Sequence, residues 1–141
     1  MTPDQVKMVQ DSFAKVVPIA DQAALMFYDR LFETAPETKA LFHGEMAEQR
    51  RKLIAALAAV VGGLRDIETI LPTASALAKR HVDYGVKAEH YDSVGAALLW
   101  TLERGLGPAW TGELAQAWSA AYRTLSGYMI GEAYGHPQAA E

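Results

Sequence analysis

From Val6 to Met129, apolar side chains return every three or four residues, and no segment sustains an alternation of apolar and polar residues. That period commits the chain to helices, because residues three and four apart share one face of a helix but fall on both faces of a strand. Prolines punctuate the pattern. Thr2-Pro3-Asp4-Gln5 reads as a capping box with Pro3 at the first helical position, and Val6, Val9, Phe13 and Val16 or Val17 follow in register. Pro18 breaks or kinks this helix. A second helix starts near Asp21 and carries the stripe Ala24, Phe27, Tyr28, Leu31 and Phe32. Pro36 stops it and opens a helical turn, Glu37 to Leu41, ending at Phe42.

A third helix runs from about Met46 to Gly62, with Gln49, Leu53, Leu57 and Val60 or Val61 on one face. Taken alone, Gln49 reads as a helix-start polar residue facing water. A short connector over 66–71 leads to Pro72, which starts the helix carrying His81. A long helix starts at 87–89, holds Tyr91, Val94, Leu98 and Leu102 in register, and ends at Gly105, Gly107 and Pro108. Thr111 caps the last helix, along which Leu114, Trp118, Tyr122, Leu125 and Met129 step. Residues 135–141 read as a disordered tail behind a single domain over 1–134. The spacing predicts an all-α fold of about six to seven helices of unequal length. A short histidine helix between two long ones fits steep crossings around a pocket better than an up-down bundle.

Composition narrows the chemistry. A chain of 141 residues, 50% hydrophobic and 21% charged, can bury one sizeable core. A net charge of −4, with basic residues scattered apart from Arg50-Arg51-Lys52, argues against nucleic acid as a partner. The absence of cysteine excludes disulfides, thiolate catalysis, cysteine-ligated zinc, iron–sulfur clusters and covalently attached haem. There is no G-x-S-x-G, no Walker sequence and no dinucleotide fingerprint. Glu89 directly precedes His90, which sets the two on different faces and argues against a di-iron bundle. The apolar run from Ile54 to Leu64 is too short to span a bilayer, and Met1 to Gln5 lacks the shape of a signal peptide. A cytoplasmic protein with no membrane partner is expected.

Of the four histidines, His43 lies in a turn, His90 at a helix start and His136 in the tail, and all three read as surface residues. His81 lies deep in a helix, one turn after Leu77. It is either a core histidine bonded to a backbone carbonyl or a metal or cofactor ligand, neutral imidazole being the commonest metal ligand.

Phe27-Tyr28-Asp29-Arg30-Leu31-Phe32, Pro36, Leu41-Phe42, Gln49-Arg50-Arg51-Lys52-Leu53, Lys79-Arg80-His81, Tyr91, Trp118 and Tyr122 follow one order and spacing. This pattern resembles the bacterial single-domain haemoglobins and the globin domain of flavohaemoglobins, from about Thr2 to Ala133. The resemblance implies a globin fold around haem b. It implies His81 as the iron ligand through neutral Nε2, with Nδ1–H held by a carbonyl or carboxylate. Phe42 would pack on the haem face. Tyr28 and Gln49 would form the distal pair, whose O–H and N–H₂ stabilise a gas molecule that draws electron density. Leu53 and Leu57 would form the distal wall, Leu77, Val86 and Val94 the proximal and lower pocket, and Arg80 a partner for a haem propionate. Tyr91 and Glu132 would surround the far nitrogen of His81. Glu132 stands one residue earlier than the family register, about 100° of helix rotation. The turn between Phe42 and Gln49 is also shorter than in typical flavohaemoglobin domains.

The function implied is reversible dioxygen binding for transport or storage. Alternatives are nitric oxide dioxygenation, peroxidase activity, and a haemless globin-like signalling module. The expected small ligands are dioxygen, nitric oxide and carbon monoxide, and the expected state is a monomer or homodimer. No reductase sequence accompanies the globin pattern, so turnover is expected to draw on a separate electron-donor reductase.

Overall fold

The computed structural model describes residues 1–42, 44–83 and 85–134, the side chains of Asp83 and Tyr134 excepted. The tail over 135–141, His43 and His136 lie outside the described residues. The α-helices are α1 (Pro3–Val16), α2 (Ala20–Thr34), α3 (Met46–Gly62), α4 (Leu71–Asp83), α5 (Ala88–Leu106) and α6 (Gly112–Tyr134), with short 3₁₀ turns joining several of them. Among the described residues there is no strand, and no helix is long and apolar enough to cross a membrane.

The boundaries have local causes. Thr2 Oγ1 accepts from the Gln5 N–H at 3.1 Å while Gln5 Oε1 accepts from the Thr2 N–H at 3.0 Å, which closes the capping box. Val17 to Ile19 form the 3₁₀ turn around Pro18 that separates α1 from α2. Thr111 Oγ1 accepts from the Leu114 N–H at 3.1 Å and starts α6. Past α4, Gly85 takes a φ of +89°, a left-handed conformation that a side chain would strain. The turn it permits brings the Val86 N–H to the His81 carbonyl at 2.9 Å.

The main core gathers Val9 and Phe13 from α1, Phe27 and Leu31 from α2, Leu98 and Leu102 from α5, and Trp118 from α6. Trp118 Nε1–H donates to Ser12 Oγ at 2.9 Å, and the Ser12 hydroxyl donates to the Val9 carbonyl at 2.9 Å, so the buried indole is satisfied. A second, smaller core of Ala74, Ala78, Tyr91 and Met129 holds α4 on α6.

This division separates α3 from α4. α3 leans on α2 and α1, α4 leans on α6, and the two helices hardly touch among the described residues. Leu53 and Leu57 on α3, Leu77 on α4, Val86 just past α4, Val94 on α5 and Phe42 before α3 are all half-buried. Apolar side chains therefore remain half-covered on both sides of the α3–α4 gap.

Candidate functional site

His81 stands half-buried on α4. Its Nδ1 lies 2.6 Å from the Leu77 carbonyl oxygen, one turn back. A carbonyl can only accept, so Nδ1 carries the proton and Nε2 keeps its lone pair. Burial lowers the pKa of His81; the Leu77 hydrogen bond opposes that shift, and the charge of Arg80 adds to it. The imidazole is therefore neutral near pH 7. Among the described residues Nε2 makes no hydrogen bond.

Tyr91 backs the imidazole. Its buried ring stacks on His81 with centroids 6.1 Å apart and planes 23° apart. The Tyr91 carbonyl accepts from the Tyr122 hydroxyl at 2.5 Å. Gly95, one turn beyond Tyr91, makes room for this, since a Cβ there would stand 2.6 Å from Tyr122 Cε2. Tyr122 thus ties α6 to the α5 backbone at Tyr91, and the Tyr91 ring lies beside His81. The sequence places Tyr122 on the apolar stripe of α6 but gives no sign of this bond. The nearest signal is the glycine four residues after Tyr91.

On α2, Tyr28 is boxed by Phe27, Phe32 and Phe42, with ring centroids 5.0, 5.9 and 5.3 Å away. Its hydroxyl donates to the backbone carbonyl of Gln49 at 3.4 Å, a long and weak bond. Burial pushes the Tyr28 pKa up to about 12, so at neutral pH the group is a protonated donor. The structure brings Tyr28 and Gln49 together through the Gln49 main chain; the half-buried amide is not what Tyr28 meets.

Two expected neighbours stand elsewhere. Glu132 is exposed and accepts from the Tyr128 hydroxyl at 3.1 Å, and among the described residues nothing links it to His81. The displaced register accounts for this, because one residue turns a side chain by about 100°. Arg80 is exposed and makes no ion pair among the described residues. His90, expected at the surface, is buried instead: its Nδ1 accepts the Lys87 N–H at 2.9 Å at the start of α5. The correction has a simple cause. A ring nitrogen three residues into a helix can accept the N-cap N–H as glutamate or glutamine does in a capping box.

Among the described residues, no three His, Asp or Glu side chains are grouped to hold a metal ion by themselves. A single neutral imidazole is a poor site for a free ion. It suits an iron already held by four nitrogens of a flat macrocycle, which needs one protein nitrogen and apolar walls. The His81 lone pair and the half-covered Phe42, Leu53, Leu57, Leu77, Val86 and Val94 fit that group.

Known proteins match at three levels. The globin family model matches residues 25–129. The flavohemoprotein of Bordetella parapertussis is 41% identical over 108 residues, covering 74% of this chain and 27% of that protein. The flavohemoprotein of Rhodopirellula baltica is 33% identical over 129 residues, covering 89% of this chain and 32% of that protein. The chain thus spans about three-tenths of the length of these relatives. A bacterial globin from Campylobacter jejuni superposes with a TM-score of 0.84 at 27% identity, over 94% of this chain and 96% of the other. An engineered carbene transferase based on a candidate nitric oxide dioxygenase of Rhodothermus marinus gives 0.85 at 28% identity, over 100% and 99%. With the family model matched over most of its length and the same helical scaffold carrying His81, this chain belongs to the globin family.

Proposed function

We propose that this chain binds haem b in the α3–α4 gap through His81 and uses it to bind dioxygen reversibly. The observation that carries this reading is the His81 imidazole, neutral and turned by the Leu77 carbonyl so that Nε2 is left with its lone pair. Haem b, held by His81, would supply an iron able to bind a diatomic gas. The Tyr91 ring lies beside the imidazole, nearly parallel to it. Phe42, Leu53 and Leu57 keep water from the distal side, and Val86 and Val94 complete the apolar surround. Tyr28 brings a neutral hydroxyl whose present bond, at 3.4 Å, is weak enough to yield to a better acceptor.

One hydrogen bond from Tyr28 in a dry pocket contributes on the order of 1–3 kcal/mol. Tyr28→Phe should therefore release dioxygen roughly five- to 150-fold faster, read by stopped-flow displacement. A release rate that does not move removes Tyr28 from this role.

A second reading, nitric oxide dioxygenation, is favoured by the relatives named flavohemoproteins and by the Rhodothermus marinus neighbour. The same distal donors serve both. The proximal side favours binding over peroxide chemistry, because a neutral carbonyl on Nδ1 pushes less electron density to the metal than a carboxylate. Nitric oxide consumption separates the two: turnover that appears only with an added reductase supports the dioxygenase, and tight dioxygen binding without turnover supports the carrier. Either role is assigned to the cytoplasm, where a separate reductase would keep the iron reduced.

A further inference from the structure

The first turns of α3 carry Gln49, and little holds them in place. The N-cap residue Glu45 makes no side-chain capping bond. A cavity of about 350 Å³, open to solvent, lies at the surface between α3 and the start of α2. Ala20 and Asp21 line it from α2, and Arg50, Ile54, Ala55 and Ala58 line it from α3. Ala20, Ala55 and Ala58 make little side-chain contact at this outer edge, while Leu53 and Leu57 pack against the core further in. Two polar links join α2 to the first turns of α3 here. The Tyr28 hydroxyl donates to the Gln49 carbonyl at 3.4 Å, and Arg50 Nε donates to Asp21 Oδ1 at 3.3 Å. They use consecutive residues of α3 and, on α2, positions three and four apart through Ala24, which share one face. The Arg50 side chain is only 22% exposed while Asp21 is 83% exposed, so the arginine is tucked against the helices rather than waving in solvent.

We propose that the Asp21–Arg50 ion pair is a positioning device for the distal side. It fixes the first turns of α3 on α2 and thereby holds the Gln49 carbonyl against the Tyr28 hydroxyl. Arg50 acts through Gln49 and Tyr28 and touches no gas ligand itself. Its effect on gas binding rests on the haem reading; its hold on Tyr28 does not. When the pair is broken, α3 loosens over the cavity, the carbonyl withdraws, and the Tyr28 hydroxyl is free to donate wholly to the bound gas. Dioxygen release then slows, by two- to fivefold for a pair that water partly screens.

The test compares the parent chain with Arg50→Ala, Asp21→Ala, the exchange Asp21→Arg with Arg50→Asp, and each single change in a Tyr28→Phe background. Infrared spectra of the ferrous carbon monoxide form and stopped-flow dioxygen release are the readouts. Each single change should lower the C–O stretching frequency and slow release, and the exchange should restore both. In the Tyr28→Phe background the changes should vanish, the signature of coupling through one hydroxyl. About 0.5 M sodium chloride on the unaltered chain should reproduce the single variants without any substitution. Unchanged stretch and release in both single variants overturn the proposal, as does an equal change in the Tyr28→Phe background. If the chain takes up no haem, the haem reading has failed, and the pair is judged on the chain as purified. Ultraviolet titration should then find Tyr28 ionising at lower pH in Arg50→Ala, and an unmoved titration overturns the proposal.

Discussion

Tyr28 keeps its proton far into alkali because ionising it would strand a charge among Phe27, Phe32 and Phe42. Its pKa rises from 10.0 to about 12 on folding. The sign follows. The contribution is fully present below pH 10, where both states are protonated, and it drains away as pH climbs from 10 through 12. Two pH units correspond to roughly 2–3 kcal/mol. Urea midpoints at pH 9 and pH 12 should therefore fall further in the parent chain than in Tyr28→Phe; equal falls would contradict the buried phenol. Gly95 owes its place to a single missing atom. In Gly95→Ala the new methyl meets the Tyr122 ring, breaks the bond to the Tyr91 carbonyl and costs about 1–3 kcal/mol, seen as a lower denaturation midpoint. The same change should disturb the spectrum of any group bound at His81, because the Tyr91 ring lies beside it. Spacing places His81 on a partly apolar face but leaves its tautomer open. That depends on the carbonyl of Leu77, and backbone acceptors leave no mark in a sequence. The burial of His90 is hidden from the sequence for the same reason, since its partner is also main chain.

Helix starts were legible where the signal is local. Thr2 and Thr111 cap α1 and α6 as their sequences suggest, because a cap needs only residues within one turn. The bond that ties α1 to α6 was not legible, because Ser12 and Trp118 stand 106 residues apart. Ser12 sits between Val9 and Phe13 on a stripe that looks merely interrupted. Ser12→Ala should cost about 1–3 kcal/mol by leaving the indole N–H buried and unpaired. Thermal unfolding measures it, and a variant as stable as the parent would show that water or another acceptor replaces the hydroxyl. Helix register was harder still. One residue decides whether Glu132 points toward His81 or lies along Tyr128, and only packing of α4 on α6 settles it. The same holds on the distal side, where the residue type of Gln49 suggests its amide while the α2–α3 crossing presents its carbonyl to Tyr28.

Taken as one molecule, the fold was the most legible feature, since a period of three to four residues, broken by prolines, leaves few architectures open. The proposed site is a set of positions that family resemblance supplies. Phe42, Leu53, Leu57, Leu77, Val86 and Val94 all line up as half-buried residues on a scaffold whose α3 and α4 hardly meet. Haem b in that gap should raise the thermal midpoint, because a ligand that binds only the folded chain stabilises it by mass action. The direct measurement is a haem titration of the full chain and of His81→Ala, followed by absorption spectroscopy with and without added imidazole. The account predicts that the parent takes up one haem with a sharp Soret band, that His81→Ala binds it weakly with an altered spectrum, and that imidazole restores the parent spectrum. A parent chain that shows no Soret band with excess haem, or a His81→Ala spectrum identical to the parent's, would contradict it.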